Sequence, residues 1–164
     1  MVLDTKKVYL LLGSNLGDRL QLIKDASKEI QNKIGHIFAT SSIYETEAWG
    51  NTNQPGFLNI ALGVETSLSA VDVLAVALQI EQLLGRVRLE KWGARLMDID
   101  LILYGDQIID IPDQLQVPHP QMQNRKFVLE PLNEIAGAIK HPVLNKSISA
   151  LLSELNDHLT VAKI

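Results

Sequence analysis

Asp98 and Asp100 stand two residues apart in the largely apolar run Leu96-Met97-Asp98-Ile99-Asp100-Leu101-Ile102-Leu103-Tyr104, directly after a cationic stretch holding Arg86, Arg88, Lys91 and Arg95. In an extended strand successive side chains alternate faces, so the two carboxylates share one face, with Cα atoms roughly 6.5 Å apart at the usual rise. Met97, Ile99, Leu101 and Leu103 take the other face. Two like charges this close on a buried strand repel and raise a pKa unless a cation sits between them, and hard oxygen ligands favour Mg²⁺. The neighbouring arginines and lysine supply the charge that polyphosphate oxygens need, so the segment reads as a metal-assisted phosphoryl-transfer site. The alternative is an Asp pair at a strand end, satisfied by backbone amides and by those same arginines.

Other residues could complete such a site. Pro118-His119-Pro120 restrains a histidine, and Asn124-Arg125 follows closely, so both side chains could face a phosphate. The other reading is a histidine packed between prolines at the surface. Phe57 and Phe127 are two of only three phenylalanines, and Phe57 shares a strand face with Asn59. Two aromatics flanking an amide describe a slot for a flat heterocycle, although lone aromatics also serve as ordinary core. Gly13-Ser14-Asn15-Leu16-Gly17 marks a strand-to-helix turn whose amides could hold an anion, but it lacks the Lys-Ser/Thr of a Walker loop and equally suits a plain glycine turn. His36, His141 and His158 have no partner at ligand spacing.

These residues need a scaffold. The length of 164 residues suits one domain spanning 1–164 with a real core. A formal net charge of -4 argues against broad nucleic-acid or anionic-membrane binding. The absence of cysteine excludes disulfides, thiolate nucleophiles and Cys-based zinc sites. The start Met1-Val2-Leu3-Asp4-Thr5-Lys6-Lys7 lacks the form of a signal peptide and no apolar run reaches membrane-spanning length, so a cytoplasmic protein is expected.

Val8–Leu12 is a continuous apolar run suited to a central strand. Asp18 caps a helix whose Leu20, Ile23, Ser27, Ile30 and Ile34 recur at helical spacing up to Gly35. His36 to Thr46 reads as one strand, followed by a polar loop over 48–55. From Phe57 to Thr66, Leu58, Ile60, Leu62 and Val64 alternate with Phe57, Asn59, Ala61, Gly63 and Glu65. Ser69 to Asp72 resembles a capping box that opens a second helix ending at Gly85. The Asp98 strand follows, with Tyr104-Gly105-Asp106-Gln107 turning it into a short hairpin with Ile108-Ile109. Pro112, Pro118, Pro120 and Pro131 then break the chain into short pieces before a final helix over Ser147–Leu155. The fold expected is α+β, with a ferredoxin-like split βαβ core: a mainly antiparallel sheet, helices on its faces, and an extra hairpin and C-terminal helices.

Five segments in order carry a resemblance: Leu12-Gly13-Ser14-Asn15-Leu16-Gly17-Asp18, Gln54-Pro55-Gly56-Phe57-Leu58-Asn59, Gly85-Arg86-Val87-Arg88, Trp92-Gly93-Ala94-Arg95-Leu96-Met97-Asp98-Ile99-Asp100 and Val117-Pro118-His119-Pro120. The chain resembles the 6-hydroxymethyl-7,8-dihydropterin pyrophosphokinases of folate biosynthesis over about residues 8 to 155. The resemblance implies transfer of the β,γ-pyrophosphoryl group of ATP to the pterin hydroxymethyl oxygen, with release of AMP. It implies two Mg²⁺ ions on Asp98 and Asp100, and Arg86 and Arg95 stabilising the transferring group. Arg88, Arg95, His119 and Arg125 would contact ATP, and Glu81 and Trp92 would lie at the nucleotide wall. Phe57 and Phe127 would sandwich the pterin, with Trp92 nearby, and Asn59, with groups near Gly13, Thr46 and Trp49, would bond its amide edge. A monomer acting on these two small molecules, without nucleic acid or membrane, is expected.

Lys91, Ala94, Gln114 and Gln116 depart from the family pattern, at positions where arginine, proline, arginine and threonine occur in other members. Two rival classes share features of this chain. A nucleotidyl transferase or phosphohydrolase could use the same Asp-x-Asp pair, and its products would differ. An RNA-binding ferredoxin-like sheet would carry aromatics and a basic face, whereas this sheet carries carboxylates.

Overall fold

The run Val8–Leu12 is buried on both faces because it lies at the middle of the molecule. In the computed structural model, which describes residues 4–46, 56–85, 96–157 and 160–164, this run belongs to strand β1 (Lys6–Ser14). β1 is flanked by β4 (Phe57–Thr66) and β5 (Asp98–Tyr104), both antiparallel to it. The sheet order is β5-β1-β4-β3-β8, with β3 at Tyr44–Thr46 and β8 at Val161–Lys163, and β2 (His36–Thr40) also pairs with β4. The split βαβ plan is therefore present, and β5 carries the aspartates on an edge of the sheet.

One face of the sheet packs under α1 (Arg19–Lys33) and α2 (Ala70–Leu83). Leu58, Ile60, Leu62 and Val64 project to this side and meet Ile23, Ile30, Val73 and Ile80. Burying each such side chain contributes about 1.5–3 kcal/mol, which fixes the register, since a slip of one residue would turn this row to the other face. Asp18 caps α1 by accepting from the Gln21 N–H at 3.1 Å, and Ser69 caps α2 by accepting from Asp72 N–H at 3.1 Å. Leu20 departs from the expected stripe and is exposed; Ala26 is buried in the helix face instead. A Cβ at Gly35 would collide with the Glu65 carbonyl, so that glycine serves the approach of α1 to β4.

The opposite face carries Tyr9, Leu11 and Ala61 under α3 (Lys126–Ala136) and α4 (Ile148–Glu154). Here the structure corrects four expectations. Pro131 does not break the chain: it lies inside α3, where Val128, Leu129 and Leu132 bury one helix face, and that burial offsets the lost hydrogen bond. Leu103 does not share a face with Ile99, because a register shift between Tyr9 and Leu10 sets it opposite Tyr9 in the α3-side core. The expected strand over 36–46 is two strands. At the break the Ser41 hydroxyl replaces a backbone partner, accepting from Ala61 N–H at 2.9 Å and donating to the Ser42 carbonyl at 2.7 Å. The turn at Gly105 forms, yet β6 (Ile109–Ile111) pairs with β7 (Leu115–Val117) in a separate two-stranded sheet rather than with β5.

Candidate active site

Alternation on three adjacent strands builds the floor of the site. The register places Asp98 opposite Gly13 and Gly13 opposite Asn59, so a carboxylate, a glycine and an amide form one row across β5, β1 and β4 on the α3 side. At the usual strand spacing the outer two residues lie roughly 10 Å apart across a position without a side chain. A Cβ at Gly13 would come within 2.8 Å of Asn59 Nδ2, so the glycine leaves room for the Asn59 amide to lie over β1. Asn59 is buried, its Nδ2 donates to the Leu12 carbonyl at 3.4 Å, and its Oδ1 has no partner among the described residues. Thr46 Oγ1 and Asn15 Oδ1 are likewise buried and unpartnered. Leaving such a group unbonded costs about 1–3 kcal/mol, so these acceptors suit a ligand that donates to them.

Asp98 is half-buried and Asp100 exposed, both on the same face of β5. The strand lies at an edge of the sheet rather than fully buried within it. Outside this edge lies a groove of about 390 Å³ bordered by Leu74, Asp100, Gln114, Gln116 and His119. Two of the four departures from the family pattern, Gln114 and Gln116, therefore line the groove itself.

His119 is set by its own turn. Its backbone N–H donates to the Ile102 carbonyl at 2.9 Å, and its Nδ1 accepts from the Gln121 N–H at 3.1 Å. The ring proton is thereby directed to Nε2, a donor available for an anion. Burial lowers the His119 pKa, with Asp100 pulling it up and Arg125 pushing it down, and the net displacement is downward. Arg125 immediately precedes α3, and its guanidinium lies over the Phe127 ring, 5.8 Å from the centroid. Phe127 is half-buried against the α3-side core, and Phe57 is half-buried at the start of β4. Each ring thus keeps some surface for a ligand, while Phe127 also belongs to the packing.

Glu81, which the resemblance puts at the nucleotide wall, packs directly behind the two aspartates. It is only 4% exposed, and its Oε1 accepts from the Ile99 N–H at 2.7 Å, holding β5 between the two aspartates from behind. Trp49, Arg86, Arg88, Trp92 and Arg95, together with Lys91 and Ala94, lie outside the described residues. Among the described residues no group of three or more His, Cys, Asp and Glu side chains could by itself hold a metal ion. Two carboxylates beside a groove nonetheless suit Mg²⁺, which takes one or two protein carboxylates and completes its shell with water and substrate phosphates.

A sequence model of the 7,8-dihydro-6-hydroxymethylpterin-pyrophosphokinase (HPPK) family matches residues 9–137. The chain belongs to this family. It is 40% identical over 147 residues to the 2-amino-4-hydroxy-6-hydroxymethyldihydropteridine pyrophosphokinase of Aquifex aeolicus, covering 90% of this chain and 91% of that protein. The Haemophilus influenzae enzyme of the same name is 39% identical over 151 residues, covering 92% of this chain and 93% of its own. The Folic acid synthesis protein fol1 of Pneumocystis carinii is 38% identical over 156 residues, and the chain spans 21% of its length. The crystal structure of a Plasmodium falciparum HPPK-DHPS triple mutant with SDX-DHP superposes with a TM-score of 0.74 at 18% identity, over 92% of this chain and 44% of that one. The HPPK fold is thus the fold of this chain.

Three features of the residues around the row Asp98–Gly13–Asn59 are plain only in the structure. Asn15 was visible only as part of a glycine turn, although a buried asparagine after a central strand is itself a signal of polar work. The Thr46 hydroxyl was overlooked in favour of backbone groups nearby. The contact between Glu81 and Ile99 joins residues 18 apart and leaves no local pattern.

Proposed function

We propose that Asp98 and Asp100 divide the site into a nucleotide side, the groove outside β5, and a pterin side, the floor over Gly13 and Asn59. As a member of its family the chain is a pyrophosphokinase, transferring a pyrophosphoryl group from ATP to hydroxymethyldihydropterin in folate biosynthesis. Mg²⁺ held by Asp98 and Asp100 would supply neutralisation of the polyphosphate charge and alignment of the phosphates. His119 Nε2 and the Arg125 guanidinium would bind ATP oxygens from the groove side, with Arg86, Arg88 and Arg95 adding charge, and Arg86 and Arg95 serving the transferring group. Trp92 and Glu81 would lie at the nucleotide wall, Glu81 also holding β5 through the Ile99 N–H. Phe57 and Phe127 would stack on the pterin, while Asn59, Thr46 and groups near Gly13 and Trp49 would bond its amide edge and disfavour rings that leave them unpaired. The chain would act as a cytoplasmic monomer.

The observation that carries this reading is the row Asp98–Gly13–Asn59. It puts a carboxylate and a buried amide with an unpartnered oxygen on one face of the sheet, on strands roughly 10 Å apart with only a glycine between them. The test is product identity: protein, Mg²⁺, ATP and 6-hydroxymethyl-7,8-dihydropterin should yield AMP only when the pterin is present. ADP as the main nucleotide product, or AMP formed without pterin, would refute it.

A further inference from the structure

The pterin side rests on a short ladder. β3 has three residues, and its last pair with β4 is Thr46 opposite Phe57. At that end Gly56 approaches so closely that a Cβ there would lie 2.6 Å from the Thr46 carbonyl oxygen. β8 pairs the other edge of β3 over the same three residues, but ladders this short hold a strand end poorly by themselves, so the Thr46–Phe57 end calls for a further tie.

Arg19, the first residue of α1, does this from a third element. Its Nη1 donates to Glu45 Oε2 at 2.6 Å and to the Gly56 carbonyl at 2.8 Å. Glu45 and Gly56 immediately precede Thr46 and Phe57 in the chain. One guanidinium nitrogen therefore bridges both strand ends that carry groups assigned to the pterin. The root of the side chain is itself held: Asp18 caps α1, and Ile23 one turn on is in the core. An ordinary surface ion pair joins two side chains and contributes little. This one also binds a main-chain carbonyl and ties α1, β3 and β4 together, with the Arg19 side chain only 28% exposed.

We propose that Arg19 is a positioning residue for the pterin half of the site, acting through Glu45 and Gly56 on Thr46 and Phe57; the inference rests on the pterin assignment above. Arg19 touches no substrate. Without it, β3 can separate from β4 at its last pair, and the hydrogen-bonding and stacking groups lose their mutual placement, which affects the pterin and leaves the groove outside β5 unchanged. Lysine is only a partial substitute, because a strongly hydrated ammonium lacks the planar fork that presents fixed N–H directions.

The test uses the full chain and steady-state kinetics with each substrate varied in turn. Arg19→Gln should raise KM for 6-hydroxymethyl-7,8-dihydropterin on the order of tenfold while KM for ATP changes by less than about twofold. Arg19→Lys should fall between it and the wild type, and Glu45→Gln should move in the same direction as Arg19→Gln. Lys33→Gln breaks a comparable ion pair with Glu29 on the same helix and should leave both constants alone. An unchanged pterin KM in Arg19→Gln, or equal rises for both substrates, would overturn the inference. A wild type that forms no AMP from the two substrates would instead overturn the functional reading on which it stands.

Discussion

Asp98 and Asp100 matter through charge at fixed spacing, so the informative substitutions keep volume and remove charge. Asp98→Asn and Asp100→Asn should each lower AMP formation by roughly a hundredfold or more, since metal-borne stabilisation of phosphoryl oxygens is worth several kcal/mol. Circular dichroism and the urea midpoint should stay close to wild type, because β5 keeps its ladder with β1. Near-normal turnover in either folded variant would end the metal assignment. Phe127 poses a different question, since it packs in the core and also underlies Arg125. If its free surface stacks on the pterin, Phe127→Leu retains the apolar packing and loses the ring. An aromatic contact is worth about 0.5–1.5 kcal/mol beyond burial, so pterin affinity should drop roughly three- to tenfold by equilibrium titration, with ATP affinity nearly constant. Equal losses for both ligands would make Phe127 a core residue only.

The elements differ in how openly the sequence announces them. β4 was legible because strict alternation over ten residues has one structural meaning, and the Asp-x-Asp face followed from the same rule. α3 was hidden by Pro131, whose local cost is outweighed by a nonlocal gain against β4 that no window of sequence displays. β8 and the break at Ser41 were hidden for similar reasons: three residues carry no period, and a serine hydroxyl standing in for a backbone group looks like any other serine. The row Asp98–Gly13–Asn59 depends on register between strands far apart in the chain. Its residue types could be read, but their adjacency could not.

His141, set aside in the sequence as unpaired, organises the turn before α4. It is buried, and its Nδ1 accepts from the N–H groups of Val143 and Leu144, both at 3.1 Å. Burial holds its pKa below the ordinary histidine value. Above about pH 6.5 the ring is neutral in both folded and unfolded chains, and its contribution is fully present. As pH falls below that, the unfolded chain takes up a proton that the folded one refuses, and stability is lost until the lower folded pKa is passed. Asparagine can offer an oxygen to the same turn without titrating. Urea denaturation at about pH 7.5 and about pH 5.5 should therefore show a larger loss for the wild type than for His141→Asn. Equal losses would mean that the turn opens before the ring titrates.

At the scale of the whole molecule, two apolar clusters share one sheet. β1 supplies Leu10 and Leu12 to the α1–α2 side and Tyr9 and Leu11 to the α3–α4 side, so neither cluster can be exposed without stripping the same strand. Glu134 adds a polar tie across the second side, accepting from Ser42 N–H, Ser42 Oγ and Tyr44 OH, the last at 2.7 Å, and lying 4.0 Å from Lys163 of β8. This arrangement should unfold as one cooperative unit. Leu132→Ala removes a side chain only 1% exposed from α3, which costs about 2–5 kcal/mol. Ile30→Ala makes the corresponding cavity under α1. Native-state hydrogen exchange should then show the slowest amides of β1 and β4 losing protection by the full unfolding increment in both variants, though the cavities lie on opposite faces. If Leu132→Ala speeds exchange in α3 and α4 while β1 keeps its wild-type protection, the C-terminal helices are a separate unit docked on the sheet, and the molecule has two folding domains rather than one.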